Sequence, residues 1–164
     1  MSEKSIALAS EICNRIHEAG PFAYEYDRAW FDQASSQIAL IAGDSKVLYV
    51  DHNINAVGND NTKALILAFT EDVIIIVDLA FTAGSNDDGR NLGARVIGRK
   101  NLSSLSVGDV TNAIGFTNGD WPKRVVLTLT YGEDSFTLPF RSHSRDEFPR
   151  LVELIPRLAL DLNA

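Results

Sequence analysis

The residue types that carry out catalysis are scattered in this chain. Its three histidines, His17, His52 and His143, are far apart, and none is followed by a histidine or cysteine at i+2 to i+4. Cys13 is the single cysteine. It excludes an internal disulfide and falls on an apolar helical stripe, where a thiol acts as a small hydrophobe rather than a nucleophile. There is no Gly-x-Ser-x-Gly elbow, no glycine-rich phosphate cradle and no catalytic motif around the cysteine that would support a Cys–His pairing. Asp51-His52-Asn53-Ile54-Asn55 imitates the start of a calcium loop, but Ala56 stands at the glycine position and Thr62 where the bidentate Glu is needed. The paired acids Glu71-Asp72 and Glu133-Asp134 fall at turns, where acidic residues are expected anyway. These observations predict a non-catalytic protein with no cofactor and no metal. An enzyme whose site assembles only in space is the reading they leave over.

One stretch has ligand-binding chemistry. Residues 89–108 contain Arg90, Arg95, Arg99 and Lys100 and no acid. On a strand, Arg95 and Arg99 would share a side, and Lys123 and Arg124 open a later strand. Arginine presents a fork suited to phosphate and carboxylate, so Arg95, Arg99, Lys100 and Arg124 are candidate residues for an anion or an acidic peptide. The alternative is that they pair with the acidic first half of the chain, since residues 1–88 carry net −9 and residues 89–164 net +2. A formal charge of −7 overall speaks against nucleic acid and anionic membranes as partners.

The elements that would position these groups follow from the hydrophobic patterning. The 164 residues, 45% of them hydrophobic, suffice for a single domain with a real core. No apolar run approaches the roughly 20 residues of a transmembrane helix. The N-terminus lacks a secretory pattern, so a cytoplasmic location is expected. Residues 3–19 read as an amphipathic helix ended by Gly20-Pro21. The aromatic segment 22–35 is open between a short helix and an extended strand. Gln37–Ala42 and Lys46–Asp51 read as a hairpin around Gly43-Asp44-Ser45, the first run being readable also as a helix end.

Lys63–Phe69 and Val73–Phe81 form a second hairpin, apolar on both faces. Ile66, Ala68, Ile74 and Ile76 are expected on its outer face, covered by the helix 3–19 or by another subunit. A strand over 93–101 continues irregularly to 107. Lys123–Tyr131 and Ser135–Arg141 then alternate cleanly, and Pro139 either places the latter at an edge or faces outward. Ser144-Arg-Asp-Glu147 has a capping-box pattern, and a helix over 145–162 carries Phe148, Leu151, Val152, Ile155, Leu158, Ala159 and Leu162 at helical spacing. Leu151 and Ile155 are expected in the core.

The strand-turn-strand 65–79, the strand 95–101 leading into Leu102-Ser-Ser-Leu105, the final hairpin, and Glu147-Phe148 before Leu151-Val152 together resemble the pleckstrin-homology-like superfamily over residues 63–162. The likeness is to its bacterial PH-like and GRAM-type members. It implies a mainly β (α+β) fold: an antiparallel barrel over 36–141 capped by the helix 145–162. The segment 1–35, helix plus aromatic stretch, is an addition such a barrel does not require. The resemblance also implies a binding or scaffolding module for a protein or peptide partner; the apolar outer sheet and the aromatic N-terminal segment add the expectation that it self-associates as a homo-oligomer. It does not bring a phosphoinositide site, because the first predicted hairpin, 37–51, offers only Lys46. A small acidic chaperone of the secretion type is the alternative of another class.

Overall fold

The computed structural model describes residues 3–19, 29–54, 57, 60–83, 89–114, 121–140 and 146–164. Most of the aromatic segment (22–28), the acidic loop 86–88, the turn 118–119, His143 and Ser144 lie outside them. Two antiparallel sheets of four and three strands and three helices make up the fold, which is α+β. In chain order the elements are α1 (Glu3–Ala19), α2 (Ala29–Ala42), β1 (Tyr49–His52), β2 (Lys63–Phe69), β3 (Val73–Phe81), β4 (Gly89–Gly98), β5 (Ser104–Gly108), β6 (Val126–Tyr131), β7 (Asp134–Leu138) and α3 (Glu147–Asp161). The sheets run β1-β2-β3-β4 and β5-β6-β7, each strand pairing with its neighbour in sequence.

The run 37–42 is a helix end and not a strand. Trp30, Phe31, Ala34, Ser35, Ile38, Ala39 and Ala42 are buried at spacings of three and four, the helical period. Gly43, at φ +59°, ends α2 in the left-handed region by donating its N–H to the carbonyl of Ala39. The Gly43-Asp44-Ser45 turn is therefore a helix stop rather than a hairpin. Conversely, the stretch after residue 101 is a separate strand, β5, reached through a 3₁₀ turn at Arg99–Asn101. Seven strands were expected and seven are described, because one was lost and another gained.

The four-stranded sheet has an apolar layer on each face. Val50, Ile66, Ala68, Ile75, Val77 and Leu79 pack under α1 and α2, against Ile12, Ile16, Phe31 and Ile38. Leu67, Phe69, Ile74 and Ile76 face the second sheet, where Leu127, Leu129, Phe136 and Leu138 join Leu151, Leu154 and Leu158 of α3. The expected grouping of Ile66 with Ile74 and Ile76 is thus wrong. In the β2–β3 pair Phe69 lies opposite Ile74 and Ala68 opposite Ile75. Partners share a face, and every partner pair here joins an odd to an even number, so the face changes parity across the turn.

Two further details correct the expectation. The strand expected to begin at 93 begins at Gly89, where an added Cβ would lie 2.7 Å from the Phe81 ring and 2.8 Å from Trp30. Those rings meet edge to face at 5.3 Å, and only a residue without a side chain lets the strand pass beneath them. On α3 the buried stripe is Leu151, Leu154 and Leu158, with Ile155 only half-buried.

Candidate ligand groove

Two helices from opposite ends of the chain carry charge into the interior. On α1, Arg15 falls in step with the apolar residues Leu8 and Ile12, and on α3, Glu147 precedes Leu151, Leu154 and Leu158 at the same spacing. Each charge therefore faces inward with the apolar stripe of its helix. They meet as a buried pair whose side chains are 6% and 4% exposed. Arg15 Nε donates to Glu147 Oε1 at 2.7 Å and its Nη2 to Oε2 at 3.0 Å, a two-pronged geometry that fixes both planes. Arg15 Nη1 donates to the carbonyl of Val47 at 2.8 Å, and the N–H of Val50 donates to Glu147 Oε2 at 2.9 Å. Arg150 Nη1 donates to Glu147 Oε1 from the next turn of α3. The helix starts at Glu147, its N-cap is Asp146 without a side-chain cap bond, and the Glu147 carboxylate turns inward; Ser144 of the expected capping box lies outside the described residues.

Beside this pair, β1 buries a second carboxylate. Asp51 is 3% exposed and accepts three hydrogen bonds. They come from the Tyr49 hydroxyl at 2.7 Å, the Phe140 N–H at 2.8 Å and the His52 N–H at 2.8 Å. Burial nevertheless dominates and raises its pKa from 3.8 to about 6. The Tyr49 hydroxyl is pushed well above its usual range by burial and then by the Asp51 charge, so it stays a donor. The residues that imitate a calcium loop are thereby accounted for: Asp51 ties β1 to the end of β7, and the Asn53 carboxamide oxygen accepts from the Leu65 N–H. Among the described residues no group of three or more His, Cys, Asp or Glu could hold a metal ion.

In front of Arg15 opens a cleft of about 530 Å³ between α1, the α2–β1 connection and α3. Five cations line it, Lys4, Arg15, Lys46, Arg150 and Arg157, together with three carboxylates, Glu11, Asp44 and Glu153. The aliphatic part of its wall comes from Leu8, Val47, Leu48 and Leu154. Arg15 and Arg150 are both held by Glu147, and Arg15 also lies 3.6 Å from Glu11. Arg157 reaches Glu71 only at 3.9 Å with both side chains exposed. Lys4 and Lys46 have no ion-pair partner among the described residues.

The residues singled out in the sequence go elsewhere. Arg95, on β4, donates to Asp78 at 3.1 Å and to Asp134 at 2.7 Å, joining the two sheets at an exposed edge. Arg99 leaves the strand and is buried in the 3₁₀ turn. Two of its nitrogens hold Asp161 Oδ2, at 2.9 and 2.7 Å, and Nη1 holds the carbonyls of Thr70 and Glu71. Arg124 pairs with Asp109 at 2.8 Å, and Lys100 is exposed. Three of the four thus answer carboxylates of this chain, and those carboxylates belong to different elements. The sequence did hold a signal for the groove: a charge in register with an apolar stripe, at Arg15 and again at Glu147.

No protein-family model, no curated protein and no solved structure matches this chain. No described helix is long and apolar enough to cross a membrane.

Proposed function

We propose that this chain is a non-catalytic binding or scaffolding module of the pleckstrin-homology-like kind, and that a protein or peptide partner seats in the groove between α1, the α2–β1 connection and α3. The fold part of the reading is supported by four sequential antiparallel strands, then three, then a helix whose apolar stripe packs between the sheets. The function part is carried by one observation: a cleft of about 530 Å³ lined by five cations on a chain of net charge −7. Concave sites of a few hundred Å³ with a handful of convergent polar groups are the usual places for ligands. The self-association expected through the outer face of the first sheet loses that surface, because α1 and α2 of the same chain cover it.

The test is steric. Asp44 is exposed on the cleft wall, so Asp44→Trp fills the cleft without touching the core. A displayed library of random peptides is panned against the native chain and against this variant, with unchanged circular dichroism required of the latter. Peptides recovered on the native chain and lost on the variant support the reading. Recovery of none, or equal recovery on both, overturns it.

A further inference from the structure

The mixture of charges in the groove says more than its size. A site for a compact polyanion concentrates cations and keeps carboxylates away, because like charges inside a recess repel strongly. Here each of the three sides carries both signs: Glu11 and Lys4 on α1, Asp44 and Lys46 on the α2–β1 connection, Glu153 and Arg157 on α3. A phosphate dianion would share the cleft with three carboxylates, and a nucleic-acid backbone would bring several like charges to them. A peptide is different. It carries its negative charges singly and spaced, and between them it presents backbone N–H donors that need acceptors. Carboxylates between cations supply those acceptors, while the ammonium and guanidinium groups supply partners for its acidic side chains.

The aliphatic wall adds a second requirement. Leu8 and Leu48 are half-buried in this otherwise charged recess, where they leave apolar surface to be covered. Behind them the buried Arg15–Glu147 pair makes the floor rigid, so the recess exists before any ligand arrives.

We infer that the groove is built for a short acidic peptide segment, one in which single carboxylates alternate with an aliphatic side chain. This rests on the binding-module reading and narrows it to a ligand class. The aliphatic residue seats on Leu8 and Leu48, the flanking carboxylates reach Lys46 and Arg157, and the peptide N–H groups face Glu11 and Glu153. In an extended peptide neighbouring side chains point to opposite sides at about 3.3 Å per residue, so the aliphatic residue faces one side of the groove and its flanking carboxylates the other.

Fluorescence anisotropy decides it with three labelled peptides of one length: alternating Glu and Leu, the same with Gln for Glu, and the same with Lys for Glu. The Glu peptide should bind at least about tenfold more tightly than the Gln peptide, and the Lys peptide least. Raising salt should weaken the Glu peptide selectively. Lys46→Glu with Arg157→Glu, both exposed and outside the core, should abolish the preference while leaving the melting temperature unchanged. Equal binding of the Glu and Gln peptides overturns the ligand class. If that equal binding is lost in Asp44→Trp, the module reading survives. Displacement of the Glu peptide by millimolar inorganic phosphate overturns it in favour of a free anion. Binding of the Glu peptide that ignores the double variant places the contact elsewhere and overturns it too. If none of the three binds, the class is wrong, and the library panning decides separately whether the groove binds peptides at all.

Discussion

The helix α3 is held by a buried arginine at each end, and the two ends are built for different purposes. At its start, Glu147 receives Arg15, Arg150 and the Val50 N–H, and both arginines also border the cleft. At its finish, Asp161 receives Arg99, whose remaining reach goes to two carbonyls of the β2–β3 turn. Asp161 keeps a side-chain exposure of 14% where Glu147 has 4%. Electrostatically the ends also differ. A carboxylate at a helix N-terminus is favoured by the helix dipole and one at the C-terminus is opposed by it, so Arg99 offsets a cost that Arg15 does not face. The C-terminal junction is a closed clamp, and the N-terminal junction is a clamp with a recess in front of it.

The comparison can be broken most directly at Arg15. Replacing it by Met leaves Glu147 charged in the interior and should cost about 3–5 kcal/mol in chemical denaturation. Adding Glu147→Leu should restore part of that loss, because no buried charge is then stranded, while the Val47 carbonyl and the Val50 N–H still lose their partners. A single variant within about 0.5 kcal/mol of native would mean the pair is not buried in solution.

Asp51 sharpens the difference through pH. Its folded pKa, about 6, lies above the ordinary 3.8, so between these values the folded chain binds more protons than the unfolded one. Its contribution to stability is therefore fully present below about pH 4 and is lost as pH rises through about 6. By the usual 1.4 kcal/mol per pKa unit, the loss is on the order of 3 kcal/mol. Unfolding free energies of the native chain and of Asp51→Asn across pH 3.5–7.5 should diverge over this window and run parallel outside it. Parallel curves throughout would remove Asp51 as the source.

The smallest effect belongs to the C-terminal clamp. Arg99→Ala strips donors from two carbonyls and from Asp161, but Asp161 can turn to water, so about 2 kcal/mol is expected. A loss as large as that of the Arg15 variant would erase the distinction between the two junctions.

What the sequence made legible was local. The β6–β7 hairpin and α3 were readable because alternation and helical spacing are complete within each segment, and Leu151 was rightly assigned to the core. Leu154 was passed over in favour of Ile155, a shift of one residue around the helix. The run Ile38-Ala39-Leu40-Ile41-Ala42 stayed open between strand and helix end because five apolar residues in a row carry no period of their own. Only Trp30, Phe31, Ala34 and Ser35 ahead of it supply the helical phase. The faces of the β2–β3 hairpin were mis-phased because the register depends on the turn, and Thr70-Glu71-Asp72 did not declare it. The groove was not legible because its two defining charges come from helices far apart in sequence. The basic stretch 89–108 drew attention as a run, although its arginines answer acids brought near only by folding.

Arg15 and Glu147 are 132 positions apart. During synthesis, α1 leaves the ribosome long before the residue that completes its inner face has been made. Through that interval a guanidinium sits in the stripe that must cover the first sheet, and the sheet cannot close over it without stranding a charge. Long loops close slowly, and the closure entropy must be met before the contact returns anything. Pairing of Arg15 with Glu147 thus waits on α3 and is completed only after every strand from β1 to β7 has been made.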